Sequence, residues 1–160
     1  MQAELKLEVR RERKAKPIAE QRFQFQNRLN AAQVEQLWQL YQAEWWSRGR
    51  KLADVRRVVE HSDLIFAFSD PETGRLCAFA RVLTDFVYKA VIFDVIVARS
   101  ERTHGLGRQL IDAIVSHPAL LFVEHLELYC RPELVPFYEQ WDFTAISREL
   151  RFMRRTQEPW

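Results

Sequence analysis

Glycine is scarce in this chain: only 4 of its 160 residues are glycine, whereas average usage is about 7%. So low a content excludes collagen-like and glycine-rich low-complexity chains. Two of the four, Gly105 and Gly107, are nevertheless separated by a single residue. Because glycine lets other groups approach the backbone closely, we expect the backbone at Gly105 and Gly107 to be accessible.

Cysteine and long apolar runs are also scarce. The two cysteines, Cys77 and Cys130, have apolar neighbours and no metal-type spacing, which predicts two buried, reduced thiols. We expect no bound metal, because no histidine, cysteine or carboxylate residues have the spacing of a ligand set. The most apolar stretch, Ala90–Ala98, is too short to span a bilayer and contains Asp94. With no signal peptide evident, the sequence predicts a cytoplasmic protein with no membrane partner.

No charge of one sign dominates, since 24 basic residues face 22 acidic ones and the net charge is +2. This balance does not favour a nucleic-acid-binding protein, which usually has a concentrated basic excess. A hydrophobic content of 48% and a charged content of 29% are typical of one compact globular domain at this length. Residues 1–20 are the most polar and predict an N-terminal arm, and residues 21–155 predict the domain.

The periodicity predicts an α+β fold around a mixed sheet, because helical and strand patterns are interleaved along the chain. Asn30 is a plausible N-cap for the first helix, whose apolar stripe includes Trp45. The predicted helices are Ala31–Trp46, Leu52–His61, a helix ending near Ser116, and Glu133–Trp141. The main predicted strands are Phe23–Phe25, Leu64–Phe68, Leu76–Leu83, Ala90–Ala98, Glu127–Cys130, Phe143–Ser147 and Leu150–Met153.

The segment from Asp94 to Arg108 carries the chemistry. An apolar strand runs into a turn that contains Arg102, His104 and two glycines, and a helix follows at once. The first turn of a helix has unpaired N–H groups and a positive dipole end, so this segment favours an anion. A bare G-x-G also occurs in plain strand–turn–helix connections. The segment is neither a Walker loop nor a dinucleotide fingerprint, since the glycine that the latter requires is replaced by Leu110.

With its surroundings, this segment resembles the GNAT superfamily of acyl-CoA-dependent N-acyltransferases. Arg102-x-x-Gly105-x-Gly107 matches the superfamily signature [QR]-x-x-G-x-[GA], and Val95–Val97 resembles the end of its fourth strand. Pro136–Phe143 (PFYEQWDF) is similar to its downstream "fYeklGF" segment, although Asp142 replaces the glycine. Asp tolerates the left-handed backbone better than most residues, so this turn is expected to survive. The resemblance covers about residues 22–153 and is greatest to bacterial and plastid-type arylalkylamine (serotonin) N-acetyltransferase-like members.

The resemblance implies a single domain whose mixed sheet is splayed between the fourth and fifth strands and flanked by about four helices. It implies acetyl-CoA as cosubstrate, held in that gap. Tyr138 is expected to protonate the leaving thiolate as general acid, and one backbone N–H of the fourth strand to stabilise the oxyanion. The implied cofactor-binding residues are Val95, Ile96, Val97, Arg102, Thr103, His104, Gly105, Leu106, Gly107 and Arg108.

The acceptor side is less defined by the sequence. Asp94 is the candidate general base, because a lone carboxylate in an apolar strand is costly unless it is functional or paired, for instance with Arg81. A water chain is an alternative route for the proton. Trp46 and Tyr88 are candidates for an aromatic acceptor wall, and Asp85 for binding a cationic amine. Trp45, on the apolar stripe, is expected to be a packing anchor.

The predicted activity is N-acetyl transfer to a primary amine by direct attack through a tetrahedral intermediate. The acceptor is expected to be a small amine, and an arylalkyl amine is one candidate. The alternatives are acetylation of protein lysines and a non-catalytic regulatory module that binds acetyl-CoA. The chain is expected to be a monomer or a homodimer.

Overall fold

The computed structural model describes residues 22–146 and 153–156. Five strands form one mixed sheet in chain order, with antiparallel neighbours except for a parallel final pair. The strands are β1 (Gln24–Gln26), β2 (Leu64–Ser69), β3 (Leu76–Thr84), β4 (Lys89–Val97) and β5 (His125–Leu128). The helices are α1 (Ala31–Ala43), α2 (Leu52–Glu60), α3 (Leu106–Val115) and α4 (Val135–Tyr138). The predicted arm at 1–20 and most of the strand predicted at 150–153 lie outside the described residues.

The sheet is covered on both faces, which confirms the predicted α+β architecture. The α1–α2 face buries α1 through residues three and four apart, Val34, Leu37 and Tyr41, as expected of one helix stripe. The α3–α4 face buries the equivalent stripe of α3. That stripe is Leu106, Leu110, Ile111 and Ile114. The strands β2, β3 and β4 therefore contribute side chains to the cores on both faces of the sheet.

Helix α1 begins where the sequence predicts and ends earlier. Asn30 and Gln33 form a reciprocal capping box, with the Asn30 side chain accepting from the Gln33 N–H at 2.9 Å. The helix ends at Ala43 and not at Trp46, so the apolar stripe does not extend to Trp45. The packing expectation for Trp45 is therefore wrong, since Trp45 is 64% exposed. Trp46 is instead half-buried, with its ring 5.8 Å from that of Tyr41.

A bulge in β4 determines which way its side chains point. Phe79 pairs with Ile96 but Arg81 pairs with Phe93, so two residues of β4 oppose one of β3. Asp94, within the bulge, has a φ of +56°. The extra residue shifts the strand alternation, so that Val95 and Val97 pack on the α3–α4 face. The Asp94 carboxylate and Ile96 face α1 and α2.

The parallel pair β4–β5 separates halfway along β4, which confirms the predicted splay. Pairing runs from Lys89 opposite His125 to Ile92 opposite Leu128. From Phe93 to Val97, no described strand pairs with the outer edge of β4. We call the gap between residues 93–97 and the residues that follow β5, 129–131, the slot.

The C-terminal part differs from the sequence expectation. Strand β5 begins two residues earlier than predicted, because His125 already bonds to the carbonyl of Tyr88. The helix predicted at 133–141 is divided into a four-residue α-helix between two 3-10 turns, as prolines at positions 132 and 136 favour. Residues 143–146 form no strand; Phe143 packs its ring against Tyr138 instead. Both thiols are free, but Cys130 is exposed and not buried as predicted.

Candidate active site

The turn before α3 presents bare backbone, as the glycine pair predicts. Gly105 is the N-cap of α3 in the left-handed conformation, with a φ of +73°, and no side chain caps the helix. An added β-carbon at Gly105 would meet nothing within 4 Å. Gln109 is the first residue of α3 to bond back, to the carbonyl of Gly105. The N–H groups of the preceding first turn therefore lack intrahelical acceptors.

Gly107 has a different role from Gly105. Its φ is not positive, so glycine is not required there by the backbone conformation. A β-carbon at this position would lie 3.7 Å from the Phe137 ring and 3.8 Å from the Val97 side chain. Gly107 therefore allows β4, α3 and α4 to approach one another beside Val97, the last residue of β4.

Basic side chains surround this turn but are held by protein partners. Arg102 donates from Nε to the carbonyl of Val97 at 3.1 Å and pairs with Glu44. Arg108 bonds to Gln140 and lies over the Trp141 ring. The other polar side chains of the turn, Thr103 and His104, are exposed. The turn thus combines positive charge with free amides, an arrangement that suits a pyrophosphate.

Glu101 is a buried carboxylate that organises the turn. It lies 2.7 Å from Arg75, 3.4 Å from Arg22 and 3.5 Å from His104. The hydrogen bond from Arg75 is the main reason that the pKa of Glu101 lies below its ordinary value. Sequence reasoning missed this residue, because its two arginine partners, Arg22 and Arg75, come from distant segments of the chain. The only available signal was an acidic residue directly before the basic turn.

The backbone of β4 faces the slot at the residues that the resemblance implies. Ala98 donates to the carbonyl of Cys77 at 2.8 Å, so the backbone groups of Ala98 face β3. Since neighbouring residues face opposite edges of a strand, the groups of Val97 and Val95 face away from β3. They are therefore directed into the slot, where Val97 also accepts from Arg102.

Tyr138 lies in the core that forms the base of the slot. It is 7% exposed, and its ring packs against those of Phe137 and Phe143. Burial, with a contribution from the nearby Cys130 thiol, raises the pKa of Tyr138 to about 12. The hydroxyl is therefore protonated at neutral pH, as a proton donor has to be.

Asp94 forms ion pairs with two arginines. The structure therefore agrees with the alternative raised from the sequence, in which Asp94 pairs with Arg81. Its carboxylate lies 2.6 Å from Nε of Arg81 and 3.1 Å from Nη2 of Arg50, and it accepts from the Tyr41 hydroxyl. Burial alone raises the pKa of Asp94, but the bonds and charges of the two arginines outweigh it and lower the pKa. A carboxylate held in this way is a weak proton acceptor. Arg50 and Tyr41 were missed because they lie more than forty residues away in the sequence.

The structure does not bring the three candidate acceptor residues together. Asp85 caps the β3–β4 turn, accepting from the backbone N–H groups of residues 87, 88 and 89. Tyr88, in the same turn, is 64% exposed. Tyr88 and Asp94 are six residue steps apart along the extended chain, which is about 20 Å. Trp46 packs beside Tyr41 and Arg50, both of which bind Asp94, so it is the one candidate of the three that lies close to the bulge.

Within residues 22–146 and 153–156, no three histidine, cysteine or carboxylate residues group as metal ligands. None of the helices in this part of the chain is long and apolar enough to cross a membrane.

The comparisons with known proteins agree on one family of acetyltransferases. The profile of the acetyltransferase (GNAT) family matches residues 31–143. Rice serotonin N-acetyltransferase 2, chloroplastic, is 34% identical over 101 residues, which are 62% of this chain and 50% of the relative. GCN5-related N-acetyltransferase 1, chloroplastic, of Arabidopsis thaliana is 28% identical over 112 residues, which are 70% of this chain and 56% of the relative. The chain thus spans about half the length of these relatives.

Solved structures agree with this assignment. A protein described as a GNAT-family acetyltransferase from Xanthomonas campestris superposes with a TM-score of 0.72 and 28% identity, covering 84% of this chain and 93% of that one. An acetyltransferase structure from Deinococcus radiodurans, at 23% identity, has a TM-score of 0.70 and covers 88% and 94%. The second shares the fold.

Proposed function

Because the chain belongs to the GNAT family of acetyltransferases, we propose that it moves an acetyl group from acetyl-CoA to a primary amine of a small molecule. One observation carries this proposal. The slot, bordered by the free backbone edge of β4, ends at the uncapped N-terminus of α3. A strand edge that meets a phosphate-binding helix end is what a pantetheine arm with a pyrophosphate requires.

The chain's own groups divide the binding of acetyl-CoA between them. The first-turn amides of α3, at Leu106, Gly107 and Arg108, hold the pyrophosphate, with positive charge from Arg102 nearby. The backbone groups of Val95 and Val97 bind the pantetheine arm as an added strand would. The remaining turn residues, Thr103, His104 and Gly105, shape the turn.

The proposed transfer uses two groups, a backbone N–H of β4 and the Tyr138 hydroxyl. The amine nitrogen forms a bond to the acetyl carbon, and a backbone N–H near the β4 bulge stabilises the negative charge that develops on the oxygen. When the carbon–sulfur bond breaks, Tyr138 gives its proton to the thiolate. A hydroxyl with a pKa of about 12 is protonated when that step occurs and recovers its proton from the reacting amine through solvent.

The amine's own proton leaves by water in this proposal. Asp94 is the carboxylate nearest the bulge, but two arginines lower its pKa. Its role here is to fix the bulge, and hence the N–H groups beside it. The proposal therefore uses the water chain that the sequence analysis gave as the alternative path for the proton.

The acceptor, compartment and assembly are part of the proposal. A small amine is supported by the name of the rice relative. A cytoplasmic location is carried over from the sequence as a proposal, whereas the two plant relatives are named as chloroplastic. A monomer or a homodimer acting without nucleic acid, membrane or metal completes the proposal.

The proposal is tested by combining binding and turnover. Acetyl-CoA is expected to raise the Tm of the protein, and CoA release is then followed over a panel of small amines and lysine-containing peptides. Turnover with small amines supports the proposal. Turnover with peptides alone would indicate protein-lysine acetylation, and binding without any turnover would indicate a regulatory module.

A further inference from the structure

A shallow cavity of about 350 Å³ lies on the α1–α2 face, between α2 and β3. Its lining contains two arginines and one carboxylate. It is lined by Asp54, Arg57, Val58, His61, Arg81 and Leu83. The proposed transfer does not use these residues, apart from the contact of Arg81 with Asp94.

The basic side chains of this cavity have hydrogen-bond donors that the described chain does not use. Within the described residues, the side chains of Arg57 and His61 make no hydrogen bond or ion pair. Arg81 gives its Nε to Asp94, and its terminal nitrogens have no acceptor in the described chain. In the adjoining cluster Arg50 and Arg81 share one carboxylate, and Nη1 of Arg50 is buried without a partner. The region is therefore rich in unused donors and carries excess positive charge.

The cavity is connected to the reacting strand. Arg81 lies opposite Phe93 in the β3–β4 register, and its guanidinium lies 4.8 Å from the centre of the Phe93 ring. That ring is 6.5 Å from the ring of Tyr129, at the beginning of the slot. Arg81, Phe93 and Tyr129 thus form a strip across the sheet. The strip spans one to two strand spacings, about 5–10 Å.

We infer that the acceptor amine carries an anionic group, a carboxylate or a phosphate, which binds Arg57 and Arg81 in this cavity. The apolar part of the acceptor lies along Phe93, and its amine reaches the slot. Arginine binds such anions through two parallel hydrogen bonds. This inference rests on the proposed function and specifies its substrate class.

The length of the strip makes the inference more specific. An α-amino acid places its carboxylate next to its amine, too close to span about 5–10 Å. An ω-amino acid with several methylenes, or a phosphorylated amino alcohol, has the necessary separation. The acceptors are therefore expected to have amine and anion at opposite ends.

The test compares matched acceptors that differ in the anion alone. The pairs are 6-aminohexanoate with hexylamine, 4-aminobutyrate with butylamine, and O-phosphoethanolamine with ethanolamine. The anionic member is expected to have a kcat/KM about tenfold higher or more, mainly through KM, as charged hydrogen bonds provide. The carboxylate and phosphate pairs show which anion is preferred.

Two variants of neighbouring residues separate a specific site from general charge. Arg57→Gln removes a cavity cation, whereas Arg56→Gln removes an exposed arginine paired with Glu35 outside the cavity. The anionic-to-neutral ratio of kcat/KM is expected to fall about tenfold in Arg57→Gln and to persist in Arg56→Gln. Equal ratios within the wild-type pairs, or equal losses in both variants, would overturn the inference.

Calorimetry keeps the inference testable without turnover. With CoA bound, N-acetyl-6-aminohexanoate is expected to bind about tenfold more tightly than N-hexylacetamide, and Arg57→Gln to remove the difference. Equal affinities would again overturn the inference. Absence of CoA release with every amine would count against the proposed function, whereas turnover of neutral amines without an anion preference would count against the anion site alone.

Discussion

Asp94 and Arg81 join β4 to β3 at the bulge, with the carboxylate Oδ2 2.6 Å from the guanidinium Nε. The Asp94 side chain is only 5% exposed, and Arg50 binds its other oxygen. Because Asp94 itself has a left-handed backbone, this pairing holds a conformation that most residues disfavour. The ion pair thus fixes the part of β4 whose N–H groups face the slot.

Replacing Asp94 by alanine is expected to destabilise the fold strongly. The change leaves the partly buried charges of Arg50 and Arg81 beside each other without a carboxylate. Removing one partner of such a cluster costs about 3–5 kcal/mol. Urea unfolding of the wild type and of Asp94→Ala measures this loss.

The same pair predicts a pH dependence of stability. The pKa of Asp94 is lowered by folding from its ordinary 3.8, so the folded state favours the ionised form. The contribution is therefore fully present well above pH 3.8 and is lost as the pH falls through the folded-state pKa. Asp94→Asn is expected to flatten this acid limb. An acid limb that is unchanged in Asp94→Asn would show that other carboxylates cause it.

Tyr138→Phe is expected to lower kcat about 100-fold or more and to leave acetyl-CoA affinity nearly unchanged. A general acid contributes in this range, while the ring packing is retained. Because the pKa of Tyr138 is about 12, kcat of the wild type is not expected to fall through ionisation of Tyr138 until the pH approaches that value. Steady-state kinetics and calorimetry measure the two effects. Unchanged turnover would remove Tyr138 from the mechanism.

Gly105→Leu is expected to abolish acetyl-CoA binding while the fold persists. Gly74→Leu is the matched control, since Gly74 has a similar φ of +70° and open space around it but lies in the β2–β3 turn. Both changes force a side chain onto a left-handed backbone at a cost of about 1–2 kcal/mol. Only the Gly105 variant is expected to lose the Tm rise with acetyl-CoA. If it keeps that rise, the proposed pyrophosphate site is wrong.

The two adjacent tryptophans are expected to behave oppositely. Trp46 is packed against Tyr41 and Arg50, so Trp46→Ala is expected to cost about 2–4 kcal/mol. Trp45 is mostly exposed, with Arg131 over its ring, so Trp45→Ala is expected to cost about 1 kcal/mol or less. Denaturant unfolding of both variants measures the difference, and a larger loss at Trp45 would contradict the observed helix end.

The sequence predicts the parts of the fold that depend on local patterns. Strand and helix periodicity place β2, β3, β4 and α3 within a few residues. The glycine turn is recognisable because left-handed backbone and close approach restrict residue choice locally. Asp142 is likewise found in the left-handed conformation, with a φ of +64°, as expected for a residue in a glycine position.

What the sequence does not predict depends on long-range contacts. Whether Asp94 acts as a base or as an ion-pair partner is decided by Arg50, which arrives from the α1–α2 connection. The exposure of the two tryptophans differs from the prediction because the helix ends at Ala43, three residues early, so Trp45 and Trp46 lie beyond it and do not follow its apolar stripe. Cys130 is exposed because β5 ends before it.

The most direct test of the proposed acetyl transfer is to quantify both products of one reaction. Purified protein is incubated with acetyl-CoA and a small primary amine, and free CoA and N-acetylamine are measured together by mass spectrometry. Equal amounts of the two products are expected, formed together and reduced together in Tyr138→Phe. CoA release without N-acetylamine, or no release with any primary amine, would contradict it.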